Sequence, residues 1–427
     1  MFKTTLLAFS LMFPLCSRAA DAGRPVRHLS DLPAGAQSRI METLAQDVNW
    51  EQLAELTASD GTTSDEFGVS VAISGDTVVV GAPLATIGQN QYQGAAYVFV
   101  KPPTGWKDMT QVAKLTASNG EASDEFGNSV AISGNTIVVG NGQGSEGGAY
   151  VFTKPRGGWR SGKEAVELSC AEGAVAVSGD TVVCSYGYAA AVYVKPKTGW
   201  RSIKTYAALL EATDPDTSFF SLAIDRGTVV GGNEYNNNNQ GAAYVFVKPK
   251  HGWGVRRTQT QTAKLTDTGG ENGGGYFGWS VAVHGDTIAV GAPDIYGVSC
   301  DADVGAAYVF VKPASGWQNM TQTAELGDSS LGMGANFGYA VAVQGNTLVV
   351  GDMAGDNADN HQGLADVFLE PQSGWADTCS PNATLRASDG QSFDMFGVSA
   401  AISGNTFVIG SGRWNIGQKG AAYVFGP

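Results

Sequence analysis

Positive charge is scarce in this chain. Lysine and arginine together number 26 in 427 residues against 40 acidic residues, giving a formal net charge of −14. Nothing supplies the basic stripe that neutralises phosphates, which excludes a nucleic-acid partner. Histidine is rarer still. His28, His251, His284 and His361 are scattered without metal-ligand spacing, and no GxSxG, HExxH or P-loop pattern occurs. Of the five cysteines none forms a CxxC pair, so zinc and thioredoxin-like readings are poor. Beyond the N-terminus no apolar run is long enough to span a bilayer, so no transmembrane span is expected.

The N-terminus reads as a secretory signal. Lys3 precedes an apolar run from Leu6 to Leu15, and the small residues Ser17, Ala19, Ala20 and Ala22 follow. Residues 1–22 are therefore expected to be a signal peptide, with the mature chain extracellular, or periplasmic in a bacterium. Leu15 stands where a lipoprotein signal would need a small residue before Cys16. Residues 23–47 form a leader. Ile40, Leu44 and Val48 fall at helical spacing, which fits a short capping helix as well as a disordered segment. Cys170 and Cys184 flank one predicted hairpin and either pair in an oxidising compartment or stay buried as small hydrophobes. Cys300 and Cys379 lie in different segments and are expected to stay unpaired.

Glycine, by contrast, is abundant at 58 residues. It punctuates a cassette that occurs seven times, and a fixed period of this size means an array or a propeller. The clearest copy runs Phe67-Gly68, Ser70–Ile73, Gly75-Asp76, Thr77–Gly81 with Ala82-Pro83, Ala95–Val100 and Gly105-Trp106. Gly-Asp or Gly-Asn between β-rich runs reads as a two-residue hairpin. The turns recur at Gly134-Asn135, Gly179-Asp180, Arg226-Gly227, Gly285-Asp286, Gly345-Asn346 and Gly404-Asn405. Nearly uninterrupted Val, Ile and Leu in the second strand fits burial on both faces. Each copy supplies four strands, the fourth exemplified by Ala113–Thr116.

The seventh copy stops at Phe425-Gly426-Pro427, after its third strand. Trp50 and Leu53–Thr57 match the pattern of Trp106 to Thr116 and are the natural donor of the missing strand. The expectation for residues 48–427 is thus an all-β, seven-bladed β-propeller with four-stranded antiparallel blades, closed by an N-terminal strand completing the last blade.

Phe-Gly opening a repeat and Gly-Ala-Pro closing its second strand resemble the FG-GAP repeat of integrin α-subunit propellers. Phe67-Gly68 with Gly81-Ala82-Pro83 and Phe277-Gly278 with Gly291-Ala292-Pro293 carry it fully; Phe126-Gly127 pairs with Gly140-Asn141-Gly142. Phe337-Gly338 and Phe396-Gly397 keep the first half. The third copy has Ala171-Glu172 there and the fourth Ser218-Phe219-Phe220, so both are degenerate. The Lys-Pro…Gly-Trp connection looks more like secreted bacterial relatives. The resemblance implies calcium in DxDxDG loops between the first two strands, but here those connections are tight turns that cannot supply six to eight oxygens.

Loops from second to third strands, and from fourth strands to the next first strand, should share one face. A constant scaffold bearing variable polar and aromatic loops is how binding faces are built. Tyr92, Tyr235, Tyr296, His361, Arg413 and Trp414 are the candidate ligand residues there, suited to a protein or glycan. Asp294, Asp301 and Asp303 are the candidate calcium ligands, and no other cofactor is indicated. The acids before each Phe-Gly, such as Asp65, Asp124 and Asp394, fit turn caps or solvated groups better than a metal. Asn319-Met320-Thr321 and Asn382-Ala383-Thr384 are sequons, meaningful only in a eukaryotic secretory pathway. The expected function is a secreted, monomeric, non-enzymatic adhesion or binding protein; the alternative is a secreted hydrolase or lyase acting on polysaccharide through acidic loop residues.

Overall fold

The computed structural model describes residues 49–427 apart from 143–147, 171–172, 202, 204, 216, 255–256, 269–274, 295–299, 301–303, 333, 356–360 and 413–418. Residues 1–22 and 23–47, with their expected signal and helix, lie outside the described residues, as do Tyr296, Asp301, Asp303, Arg413 and Trp414. The described strands form seven sheets. Blade 1 comprises Val71–Ser74, Thr77–Ala82, Ala95–Val100 and Ala113–Leu115 in that order from axis to rim. The inner strands of blades 2 to 7 are Ser129–Ser133, Val175–Ser178, Ser221–Asp225, Ser280–His284, Phe337–Gln344 and Phe396–Ser403. Every residue of Thr77–Ala82 is buried, as its β-branched run requires. Glu51–Thr57 pairs antiparallel with Ala421–Gly426, with Leu56 opposite Ala422, and completes blade 7 as expected.

The expectation of four antiparallel strands per blade needs correction. Three sheets carry a fifth, parallel strand on the rim. Met109–Thr110 pairs with Leu56 and Thr57 of blade 7, Arg257–Thr260 with blade 3, and Met320–Thr321 with blade 4. Each belongs to the connection after Gly-Trp, which reaches back to the preceding blade before starting its own outer strand. Single parallel bridges from Leu115 to Gly162 and from Leu326 to Thr378 repeat the device. The Asp108 side chain accepts the Glu55 N–H at 2.9 Å, and the Gln111 side chain accepts that of Ser59 at 3.0 Å. Asn319 and Asp377 do the same for Lys264 and Glu325. An extended connector with short polar side chains thus satisfies the exposed edge that an outer strand would leave open.

The core lies between blades. Phe67 of blade 1 packs edge-on against Tyr97 and Phe99, in a cluster that includes Leu56, Val408 and Val424 of blade 7. The two halves of the repeat motif meet across the same junctions. A Cβ built on Gly81 would sit 1.9 Å from the Gly127 carbonyl oxygen of blade 2. The same approach recurs from Gly140 to Gly173, Gly232 to Gly278, Gly291 to Gly338, Gly351 to Gly397 and Gly410 to Gly68, which closes the ring. Only glycine fits there. Serines on the inner strands reinforce the contact, as when Ser70 Oγ donates to the Gly127 carbonyl at 2.7 Å.

Of the two degenerate copies, blade 3 keeps the glycine contact through Gly173, and blade 4 holds the geometry by other means. In blade 4, Phe219 is fully buried against Tyr244 and Phe246, where Phe67 sits in blade 1. Gly231 makes room for it, since a Cβ there would lie 2.5 Å from the Phe219 ring. Ser185 Oγ donates to the Phe219 carbonyl in place of the glycine contact. At blade 3 the Cys170–Cys184 disulfide lies in the core cluster with Tyr193 and Trp200. It joins the end of blade 2's outer strand to the second strand of blade 3.

Cys300 and Cys379 are also bonded, contrary to the expectation from their separation in sequence. The rim connector explains it. Pairing of Thr378 with Leu326 delivers Cys379 to blade 5, where Cys300 follows the second strand. Gly327, which stands where blade 7 has Thr57, leaves space for the Cys300 sulfur, 2.6 Å from a Cβ built there.

At the opposite end of the axis the hairpin turns form a closed ring. Gly75 donates to Ser403, Gly134 to Ser74, Gly179 to Ser133 and Arg226 to Ser178. Gly285 donates to Asp225, Gly345 to His284 Nδ1 and Gly404 to Gln344. Each bond joins one blade to the blade before it, at 2.7–3.1 Å.

Candidate functional site

The second-to-third loops and the connections into the next blade do share one face. Gln91, Tyr92 and Gln93 of blade 1 accept backbone N–H bonds from Ser123, Glu125 and Phe126, which lead into blade 2. Asn239 and Gln240 meet Tyr276 and Phe277 in the same way, and His361 and Gln362 meet Met395 and Phe396. This lacing holds the loop bases, burying Gln93 while Tyr92 beside it stays exposed.

The acids before Phe-Gly act as caps. Asp65 accepts the Thr62 N–H at 2.8 Å, Asp124 that of Glu121 at 2.6 Å and Asp394 that of Gln391 at 2.7 Å. Asp214 instead takes the Tyr244 hydroxyl at 2.6 Å and the Lys264 ammonium at 2.5 Å. Asp294 is exposed. Among the described residues no group of three or more His, Cys, Asp or Glu is placed to hold a metal. The two-residue hairpins each offer one acid or amide at most, so the calcium implied by the integrin resemblance does not fit them.

The predicted ligand residues fall on different blades. Tyr92 on blade 1 is 46% exposed. His361 on blade 6 lies 5.5 Å from the ring of Phe393, itself 45% exposed. Tyr235 on blade 4 is 53% exposed and packs edge-on against Phe220 at 5.3 Å and Tyr276 at 6.1 Å.

Among the described candidates, Tyr235 packs on Phe220, which lines a cavity. At the loop end of the axis the starts of all seven inner strands surround a space of about 400 Å³. The residue following each Phe-Gly position lines it: Val69, Asn128, Ala174, Phe220, Trp279, Tyr339 and Val398. The aromatic members come from three consecutive blades. With Tyr235 and Tyr276 they make a continuous arc, in which Tyr276 lies 6.4 Å from Trp279 and Trp279 lies 5.1 Å from Tyr339. Glu234, beside Tyr235, also lines the cavity, and burial pushes its carboxyl up to about 7. Sequence reasoning missed this arc because each aromatic was scored within its own copy. Aligning the position after Phe-Gly across the seven copies would have shown it.

A family model for the FG-GAP repeat matches residues 50–99, 109–152, 259–310, 320–368 and 380–425, together more than half of the chain. The chain therefore belongs to the FG-GAP repeat family. The unmatched stretch between 152 and 259 holds blades 3 and 4, whose motifs are degenerate. No curated protein matches the chain. Among solved structures it is similar to the WD40 β-propeller domain of Doa1, with a TM-score of 0.53 and 11% identity over 88% of this chain and 97% of that one. A likeness to Hsv2 of Kluyvelomyces marxianus has a TM-score of 0.44 and 11% identity, over 79% of this chain and 86% of the other. At such identity the Doa1 likeness shows the propeller fold alone.

Proposed function

We propose that this FG-GAP propeller is a secreted, non-enzymatic protein that binds an extracellular protein or glycan on its loop face, as a monomer, in an adhesive role. The observation that carries this reading is the contrast between a glycine-locked frame and exposed aromatic side chains on one face, Tyr92, Tyr235 and Phe393. Large, rigid side chains of this kind supply contact area at small entropic cost. Tyr296, His361, Arg413 and Trp414 complete the proposed contact set. Two disulfides support an oxidising compartment, and with it the reading of residues 1–22 as a signal peptide. Among the described residues no helix is long and apolar enough to cross a membrane.

Arrays of matrix proteins and glycans probed with the mature chain test the proposal. A saturable ligand whose binding falls at least about tenfold in Tyr92→Ala or Tyr235→Ala is expected, each change removing on the order of 1.4 kcal/mol. Turnover of a polysaccharide or ester library would replace binding by the hydrolase reading.

A further inference from the structure

We propose that the axial cavity is a binding site for an alkylammonium group, held by the faces of Phe220, Trp279 and Tyr339 and by the carboxylate of Glu234. The site is distinct from the broad loop-face contact and does not depend on it.

The lining chemistry selects the ligand. Among the described lining residues Glu234 is the only charged one, and no cation balances it. It is 5% exposed, and its Oε2 has no hydrogen-bond partner. A buried carboxylate with one oxygen left unsatisfied costs free energy that a bound cation would recover. Burial and then the charge of Glu66 raise the Tyr339 hydroxyl, so negative potential also reaches the arc from blade 1. Aromatic faces attract cations through their quadrupole, most strongly where the site is desolvated. Three rings and one carboxylate around a cavity of about 400 Å³ match an ammonium bearing small alkyl groups.

A sugar fits less well. Its hydroxyls need many polar partners, and the serines on the lining are already engaged. Ser70, Ser221, Ser280 and Ser399 donate their hydroxyl protons to the Gly127, Gly278, Gly338 and Gly68 carbonyls, and Ser129 accepts from Val175. An anion would meet Glu234 without any cation to offset it.

Calorimetry and tryptophan fluorescence on the full chain decide the matter with choline, its neutral isostere 3,3-dimethyl-1-butanol, and methyl glucoside. Choline is expected to bind one to one, with the isostere at least about tenfold weaker because it keeps the shape and loses the charge. Glu234→Gln should weaken choline at least tenfold while raising the unfolding midpoint at pH 8, a combination a merely structural residue would not give. Trp279→Leu, with an unchanged circular dichroism spectrum, should also lose binding. Equal affinity for choline and isostere, methyl glucoside binding instead, no choline binding, or an unaltered Glu234→Gln would each overturn the proposal. Failure on the protein and glycan arrays would leave it standing, and choline failure would leave the loop-face reading standing.

Discussion

At the hairpin end of the axis, seven turns hand one hydrogen bond each to the preceding blade, and the acceptor changes freely from serine to aspartate, histidine or glutamine. At the loop end, the backbone glycines of neighbouring blades touch, and six of the seven junctions tolerate no side chain. Yet it is the loop end that varies in chemistry, with an aliphatic arc on blades 1, 3 and 7 facing an aromatic arc on blades 4 to 6. The comparison teaches that a tightly constrained backbone frees the next residue. Once glycine contacts fix where each inner strand begins, the side chain after them can differ without moving the blade.

The largest test of that contrast is one substitution made at both ends. Gly81→Ala places a methyl 1.9 Å from the Gly127 carbonyl and 2.3 Å from Ser70 Oγ. It should cost about 3 kcal/mol or more in urea unfolding, because backbone must move to admit it. Gly75→Ala at the hairpin end meets nothing within 4 Å and pays only for its φ of +57°, about 1–2 kcal/mol. Equal losses would erase the distinction between the two ends.

Glu234→Gln separates the ends by charge. The folded-state carboxyl titrates near 7, above its ordinary value of 4.5. The stability tied to its neutral form is therefore fully present below pH 4.5 and is lost as pH rises through 7. The glutamine variant should match the parent near pH 4.5 and exceed it by on the order of 3 kcal/mol at pH 8. A constant difference across that range would mean the carboxylate is not buried alone. Asp225, whose carboxylate accepts the Gly285 N–H, is its satisfied counterpart at the hairpin end.

The smallest expected effect is Ser74→Ala. It removes one of the seven ring hydrogen bonds, an exposed one from Gly134, and should cost about 0.5–1 kcal/mol. A larger loss would show that the hairpin ring acts cooperatively rather than bond by bond.

Seven cassettes, the strands within them and the donor of the last strand were all legible in the chain, because the periodicity of Val, Ile and Gly is local. The rim connectors were not, since Met109-Thr110 and Met320-Thr321 are too short to announce themselves as strands and pair with a neighbouring blade. Cys300 and Cys379 looked unrelated for the same reason, being 79 residues apart in sequence. The fourth copy looked broken, although Phe219 one position later, with Gly231 opposite, restores the buried ring. Of the six predicted ligand residues, Tyr235 alone is seen to join a larger constellation. Tyr92 and His361 stand on separate blades, and Tyr296, Arg413 and Trp414 lie outside the described residues.

By itself the sequence determined the fold, the number of blades and the closure, because each rests on repeated local signals: turn glycines, β-branched strands and a matching N-terminal segment. Only the tertiary structure decided which residues share a site. Phe220, Trp279 and Tyr339 are separated by about sixty residues from one to the next; closing the ring carries each to the same height on one axis, beside a glutamate that folding buries with its Oε2 unpartnered.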